Sequence, residues 1–142
     1  MRITILTIGK PRQSFVLDGA AEFIKRLQRF ADVTIVHLKE SATTADVEKH
    51  AARGHLVLLD EKGTEYTSKK FSEKLEHWKQ QGISLVFCIG GADGHTDAVR
   101  ALPHTTMTLS RLTLPHEMAF LFFVETLYRS LTIAAGHPYH RQ

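Results

Sequence analysis

The sequence has a single cysteine, Cys88, in 142 residues. One thiol excludes an internal disulfide and a cysteine-rich zinc site, and it is typical of a protein from a reducing compartment. Because Cys88 lies within the apolar run 85–89, we expect a thiol buried in the core rather than a nucleophile. The sequence also lacks a Ser-His-Asp arrangement with its local signatures, so nothing indicates a serine hydrolase.

Long hydrophobic segments are missing as well. The longest apolar run, 118–124, ends at Glu125 and is too short to span a bilayer. The first eight residues alternate in polarity and are too short for a signal peptide. Neither sign of charge dominates, since 18 Lys and Arg against 15 Asp and Glu give a net charge of +3. We therefore expect a soluble cytoplasmic protein whose charge permits a nucleic-acid partner without requiring one.

Apolar strands alternate with amphipathic helices along the chain. Residues 41–52 predict a short helix or a mobile loop, and residues 60–63 predict a turn. Because the strands are apolar rather than half-polar, they predict an α/β protein with an open parallel sheet and helices on both faces. The length predicts one domain over residues 1–142. The predicted strands cover residues 2–8, 33–38, 55–59, 84–89 and 107–109, and the predicted helices cover 14–30, 68 to about 82, 96–102 and 117–135.

A glycine-rich turn, Gly90-Gly91-Ala92-Asp93-Gly94, follows the fourth predicted strand. Open parallel sheets bind ligands at the carboxyl ends of their strands, and glycine lets the backbone approach a ligand closely. The spacing matches neither a dinucleotide fingerprint nor a phosphate-binding P-loop. A tight strand-to-helix turn that needs positive φ explains the same glycines, and these residues alone favour that interpretation.

Residues 110–116 join the fifth predicted strand to the last helix and contain Pro115 and His116. Such a loop can wrap the apolar edge of a ligand and offer backbone groups to a heterocycle. A simple helix entry, with Glu117 in the first turn, explains the loop equally well.

The last predicted helix is apolar around its circumference over residues 118–124. Either the fold buries it completely or a second subunit covers part of it, and the small size of the chain favours the second. Glu125 and Arg129 share one face of this helix, where an ordinary ion pair is the commoner case.

The tail at residues 136–142 contains His137, Tyr139, His140 and Arg141. These residue types stack on bases and bind phosphate, although a frayed terminus explains the tail as well. No carboxylate or cysteine accompanies the two histidines at metal-ligand spacing, so we expect no metal.

The order of these motifs along the chain resembles the order found in one protein family. Residues 89–94 read Ile-Gly-Gly-x-x-Gly, 109–116 read Leu-Ser-x-Leu-Thr-Leu-Pro-His, 125–129 read Glu-x-Leu-Tyr-Arg, and 137–141 read His-Pro-Tyr-His-Arg. These motifs are similar to those of the ribosomal RNA large subunit methyltransferase H family, which belongs to the SPOUT methyltransferases. The resemblance spans the whole chain and is most specific in its carboxyl third.

The resemblance implies an S-adenosylmethionine-dependent enzyme that methylates N3 of a pseudouridine in the helix 69 loop of 23S rRNA, acting on assembled ribosomes. It also implies a homodimer and a C-terminal trefoil knot that holds the cofactor, although knots are rare among proteins. The cofactor contacts of the family carry over to Leu59, Gly91, Ser110, Arg111, Leu112, Thr113, Leu114 and Pro115.

The resemblance also links Arg129, Tyr139 and His140 with substrate binding or catalysis, and it matches His116 and Glu125 to recurrent positions of less certain role. Because the methyl donor is already activated, positioning supplies most of the acceleration. The N3 proton must still leave. Arg129 is a candidate for stabilising the resulting negative charge or binding phosphate, and His140 is a candidate proton acceptor.

Between Leu38 and His55 the chain is shorter than is usual for the family, which predicts altered RNA contacts or a trimmed helix rather than lost chemistry. Two other functions stay open: a related knotted methyltransferase acting on tRNA, and a non-catalytic ribosome-binding factor, against which the intact motifs argue. The enzymatic interpretation requires the segments around Leu59, Gly91 and Leu112 to meet in one cradle.

Overall fold

The computed structural model describes residues 1–140, so Arg141 of the terminal motif lies outside the described residues, as does Gln142. The elements are β1 (Arg2–Ile8), α1 (Ser14–Leu27), β2 (Asp32–Leu38), α2 (Thr44–Ala51), β3 (His55–Glu65), α3 (Ser68–Gln80), β4 (Leu85–Ile89), α4 (Asp97–Arg100), β5 (Thr105–Thr108) and α5 (His116–Ala134). The described strands form one parallel sheet in the order β2-β1-β4-β3-β5, which confirms the predicted parallel pairing.

Helices cover both faces of the sheet, as predicted. Side chains alternate between the faces along each strand, so neighbouring residues of one strand enter different cores. Phe87 packs with Phe71 of α3 and Phe123 of α5 on one face. Cys88 packs on the other face with Val47 of α2 and with α4. Cys88 is fully buried, which agrees with the expected core thiol.

The ambiguous segment 41–52 contains the helix α2. Thr43 and Asp46 form a capping box, in which each side chain bonds to the backbone N–H of the other residue. This reciprocal cap satisfies two amides that a helix of only eight residues leaves without intrahelical partners.

The expected end of the third strand was wrong. β3 continues to Glu65, and both Leu59 and Thr64 pair with Met107 of β5, so residues 60–63 form a bulge rather than a terminal turn. A Cβ atom at Gly63 would lie 2.5 Å from the carbonyl carbon of Met107, so this backbone approach requires glycine. The bulge displaces Asp60 from the strand ladder at the edge where ligands bind in parallel sheets.

A carboxylate on α5 joins the starts of two helices. The N-cap of α1, Gln13, makes no capping bond through its own side chain. Instead, Glu117 Oε1 accepts the backbone N–H groups of Arg12 and Gln13 at 2.8 and 3.0 Å. The loop before α5 is therefore fixed against the β1–α1 connection. Over residues 1–140, no helix has both the length and the apolar character needed to cross a membrane.

Candidate functional site

A cavity of about 690 Å³ lies beside the bulge of β3 and the carboxyl ends of β4 and β5. Its wall combines Leu59 and the bulge that follows it, the glycine turn after β4, and the loop that leads into α5. The prediction that segments around Leu59, Gly91 and Leu112 meet in one cradle is therefore confirmed by the geometry. A volume of this order suits a nucleoside-sized ligand. The lining residues are Leu59, Asp60, Glu61, Lys62, Ile89, Gly90, Gly91, Ala92, Asp93, Gly94, His95, Arg100, Thr108, Leu109, Ser110, Leu112, Thr113, Leu114, Pro115, His116 and Ala119.

The glycine turn is both a tight turn and a wall of the cavity. Gly91 and Gly94 form an antiparallel bridge, and the Gly94 amide donates to the Gly91 carbonyl at 3.0 Å. Gly94 has a φ of +75°, a conformation that side chains disfavour. A Cβ atom at Gly90 would lie 2.8 Å from the carbonyl carbon of Gly94. The turn thus depends on glycine to expose the backbone to the cavity.

The loop before α5 contributes five of the six predicted cofactor residues in this segment to the cavity wall. Ser110 Oγ accepts the Leu112 amide at 2.9 Å, which folds the loop back on itself. Leu112 is 78% exposed although it lines the cavity, so apolar surface is accessible to solvent at the cavity entrance. The Arg111 side chain is outside the wall and forms an ion pair with Glu65 at 2.6 Å.

The polar residues of the wall that the sequence reasoning missed include Asp60, His95 and Arg100. Asp60 Oδ2 pairs with Arg100 Nη2 at 3.0 Å, and Asp60 Oδ1 accepts the Lys62 amide at 3.1 Å. Burial opposes ionisation of Asp60, but the Lys62 amide and the Arg100 guanidinium together lower the pKa of this carboxyl. The position of Asp60, directly after a buried strand, was the sequence signal that could have identified it.

The predicted catalytic residues form a second cluster on α5 and the tail. Glu125 Oε1 accepts Arg129 Nη2 at 2.6 Å, Arg129 Nε at 3.0 Å and the Tyr139 hydroxyl at 3.0 Å. The hydrogen bond to Glu125 raises the pKa of Arg129, while burial, followed by the bond to Glu125, raises the pKa of Tyr139. The Tyr139 ring also packs against the Tyr128 ring, with 4.7 Å between the ring centroids. The expected ion pair exists, and it also holds the tail.

The cluster and the cavity are apart in a single chain. Arg129, Tyr139 and His140 are not among the cavity-lining residues, although His116 at the start of α5 is. Ala119 is the last α5 residue at the cavity, and the rise to Arg129 is about 15 Å along the helix. The described part of the tail therefore packs on its own α5 instead of closing over its own cavity.

Metal coordination finds no support in the described part of the chain. Within residues 1–140, no group of three or more His, Cys, Asp or Glu side chains is arranged to hold a metal ion. His137 Nδ1 instead accepts the Tyr139 amide at 3.3 Å.

This fold, with a nucleoside-sized cavity built from a glycine turn and a loop before the last helix, is that of a SPOUT methyltransferase. Residues 1–140 match the family described as Predicted SPOUT methyltransferase. Among solved structures, a probable methylase family protein from Haemophilus influenzae Rd KW20 has a TM-score of 0.62 at 13% identity, over 99% of this chain and 70% of that chain. A Legionella pneumophila protein with bound cofactor SAM has a TM-score of 0.52 at 12% identity, over 94% and 66%. These two likenesses concern the fold.

The sequence comparison is more specific. The ribosomal RNA large subunit methyltransferase H of Deinococcus radiodurans is 41% identical over 145 residues, with 99% of each chain covered. The protein of the same name from Thermus thermophilus is 38% identical over 142 residues, again with 99% of each covered. The chain belongs to the ribosomal RNA large subunit methyltransferase H family, as its motifs predicted.

Proposed function

We propose that this protein uses S-adenosylmethionine to methylate N3 of a pseudouridine in the helix 69 loop of 23S rRNA in the assembled ribosome. The observation that carries the proposal is the meeting of Leu59, Gly91 and Leu112 in one cavity. The names of the relatives support an rRNA substrate. The motifs at residues 109–116 and 137–141 support the particular base.

The residues of the cavity fit this cofactor. Leu59, Leu112 and Leu114 provide apolar surface for an aromatic base, and the glycine turn provides backbone that a ligand can approach. Asp60, kept ionised by its neighbours, offers a carboxylate acceptor for hydroxyl or ammonium groups. When bound, the cofactor supplies a methyl group activated on a sulfonium. The wall would position this group.

The cluster on α5 and the tail fits the remaining part of the reaction, which is removal of the proton from the substrate base. Pseudouridine N3 carries a proton that must leave before or during attack. We assign His140 as the acceptor of that proton and Arg129 as the cation that stabilises the developing negative charge. Glu125 orients Arg129 and Tyr139 through one carboxylate oxygen. The +3 charge gives a weak general attraction for RNA, so the shape of a large particle supplies much of the recognition.

The separation of the two clusters in one chain favours a homodimer. Phe122 on α5 and Phe15 on α1 are 45% and 55% exposed, and a protein partner would cover this apolar surface. We propose that α5 packs against α5 of a second copy, so that the tail of one subunit meets the cavity of the other. The same proposal includes three further properties. They are the C-terminal trefoil knot implied by the family, a single domain over residues 1–142, and the cytoplasmic location that ribosomes require.

The test combines binding and product analysis. We expect calorimetry to detect S-adenosylmethionine binding, and we expect mass spectrometry to find methylated pseudouridine in 23S rRNA after incubation with assembled ribosomes. Methylation of tRNA in place of rRNA would support the alternative substrate. No detectable binding at millimolar cofactor, which corresponds to an affinity weaker than about −4 kcal/mol, would support a non-catalytic ribosome-binding factor.

A further inference from the structure

His95 is enclosed in the wall of the cavity, with 8% of its surface exposed. Its Nε2 atom lies 3.0 Å from the Leu59 carbonyl oxygen. A carbonyl oxygen only accepts hydrogen bonds, so the Nε2 atom carries the proton and donates it. This bond joins the glycine turn after β4 to Leu59 of β3, which also pairs with Ile89 in the strand ladder. The side chain thus adds a second connection between two of the three backbone segments that form the cradle.

The titratable neighbours of His95 come from three directions. Asp60 approaches from β3, Arg100 from α4, and His104 from the connection to β5. Burial lowers the pKa of His95 most strongly. The Leu59 carbonyl and Asp60 oppose this effect, while Arg100 and His104 add to it. A lowered pKa keeps the imidazole neutral at pH 7, so the Nε2–H bond to Leu59 adds no positive charge to the wall.

Relying on the proposed function, we propose that His95 is a positioning residue for the cofactor. Its hydrogen bond to Leu59 holds β3 and the glycine turn at the separation that the cofactor requires. The β3–β4 ladder ends where Leu59 pairs with Ile89, and the bridge of the turn joins Gly91 to Gly94, so the His95 bond extends the connection to β3 beyond the ladder. Without the bond, the buried Leu59 carbonyl would lose its side-chain donor and the wall would relax.

Two substitutions separate the hydrogen bond from the volume of the ring. His95→Leu introduces an apolar side chain of similar volume that has no hydrogen-bond donor. His95→Gln places an amide N–H near the position of the imidazole Nε2–H. We expect His95→Leu to weaken S-adenosylmethionine binding by about tenfold, the usual scale for a lost buried hydrogen bond, and His95→Gln to restore most of the affinity. Because the effect is on binding, kcat at saturating cofactor should change much less than KM.

A third variant covers the case in which His95→Leu does not fold. His95→Asn carries the same amide as glutamine on a side chain one methylene shorter, so it should bind cofactor as weakly as the leucine variant would. The control is His77→Gln, which changes an exposed histidine on α3 away from the cavity. Equal affinity in all variants, or a failure of His95→Gln to exceed His95→Asn, would overturn the positioning role.

A measurement on the free protein distinguishes this proposal from the proposed function. Nitrogen NMR of the His95 ring should show the Nε2–H tautomer at pH 7, and amide exchange in residues 90–95 should be faster in His95→Asn than in wild type. The opposite tautomer, or unchanged exchange, overturns the role of His95 even if the cofactor binds. If wild-type protein binds no S-adenosylmethionine, the proposed function fails and His95 positions no such cofactor, whatever the tautomer.

Discussion

The Tyr139 hydroxyl donates a 3.0 Å hydrogen bond to Glu125 Oε1, the oxygen that also accepts both bonds from Arg129. This contact fixes the tail on α5, because Tyr139 follows the end of the helix and the other two residues lie on it. A single carboxylate therefore organises the two side chains to which the proposed reaction assigns substrate contact or charge stabilisation.

Replacement of Arg129 by alanine should reduce kcat for rRNA methylation by about 100-fold or more, the usual effect of removing a group that stabilises developing charge. Cofactor affinity should be unchanged, because the charge that Arg129 is proposed to stabilise develops on the substrate base and not on the cofactor. Single-turnover kinetics and calorimetry measure the two quantities. Lys70→Ala removes the cation of an exposed ion pair on α3, away from the cluster, and is the control. Equal losses of affinity and turnover would contradict the role assigned to Arg129.

Introduction of a charge at Phe122 should dissociate the proposed dimer. Phe122 is 45% exposed on α5, and Phe122→Glu would place a carboxylate in the apolar interface. Light scattering should give about twice 16.0 kDa for wild type and 16.0 kDa for the variant. Thr34→Glu adds the same charge to an exposed position of β2 and should stay dimeric. A wild-type protein that is monomeric in the same measurement would refute the interface.

A methyl group at position 90 should distort the glycine turn that forms one wall of the cavity. Gly90→Ala brings a Cβ atom to 2.8 Å from the Gly94 carbonyl carbon, and backbone on both sides of the turn must move apart. We expect cofactor affinity to fall by more than about tenfold while circular dichroism still shows the α/β fold. Ala98→Ser changes an exposed residue of α4 that does not line the cavity and should bind normally. Wild-type affinity in Gly90→Ala would show that the turn does not contact the cofactor.

Glu117 should stabilise the protein in a pH-dependent manner. The amides of Gln13 and Arg12 lower the pKa of its carboxyl, so the folded state favours the ionised form. Its contribution is therefore present above the unfolded pKa of about 4.3 and is lost as the pH falls through the lower folded value. Glu117→Gln should lower Tm at pH 7 and have little effect near pH 2.

The control for this measurement is Glu22→Gln, which alters an exposed helical ion pair with Arg26 and should change Tm only slightly. A decrease in Tm for Glu117→Gln that is as large at pH 2 as at pH 7 would show that the charge of Glu117 is not the cause.

Cys88 should be chemically inert in the folded protein. Burial raises the pKa of its thiol to about 12, so almost no thiolate exists at pH 8. Iodoacetamide should leave the native protein unmodified under conditions that label it completely in denaturant. Intact mass spectrometry distinguishes the two states, and Cys88→Ala should show no labelling in either. Rapid labelling of the native protein would mean that the face of the sheet covered by α2 and α4 opens readily.

Much of the fold follows from local patterns. Apolar runs located the strands, and the capping residues Thr43 and Asp46 explain why an ambiguous polar segment becomes helical. The continuation of β3 past Leu59 was not predictable in this way. It depends on the pairing of Thr64 with Met107, which lies on another strand, whereas the residues between Leu59 and Thr64 look like an ordinary turn.

The amino-acid sequence by itself determined the order of elements, the glycine turn and the motifs that define the family, because propensity, periodicity and turn chemistry act over a few neighbouring positions. Only the tertiary structure decided that Leu59, Gly91 and Leu112 line one cavity, that His95 bonds to Leu59 in its wall, and that the tail lies on α5 away from its own cavity. These are contacts between segments distant along the chain, and sheet order and packing bring them together.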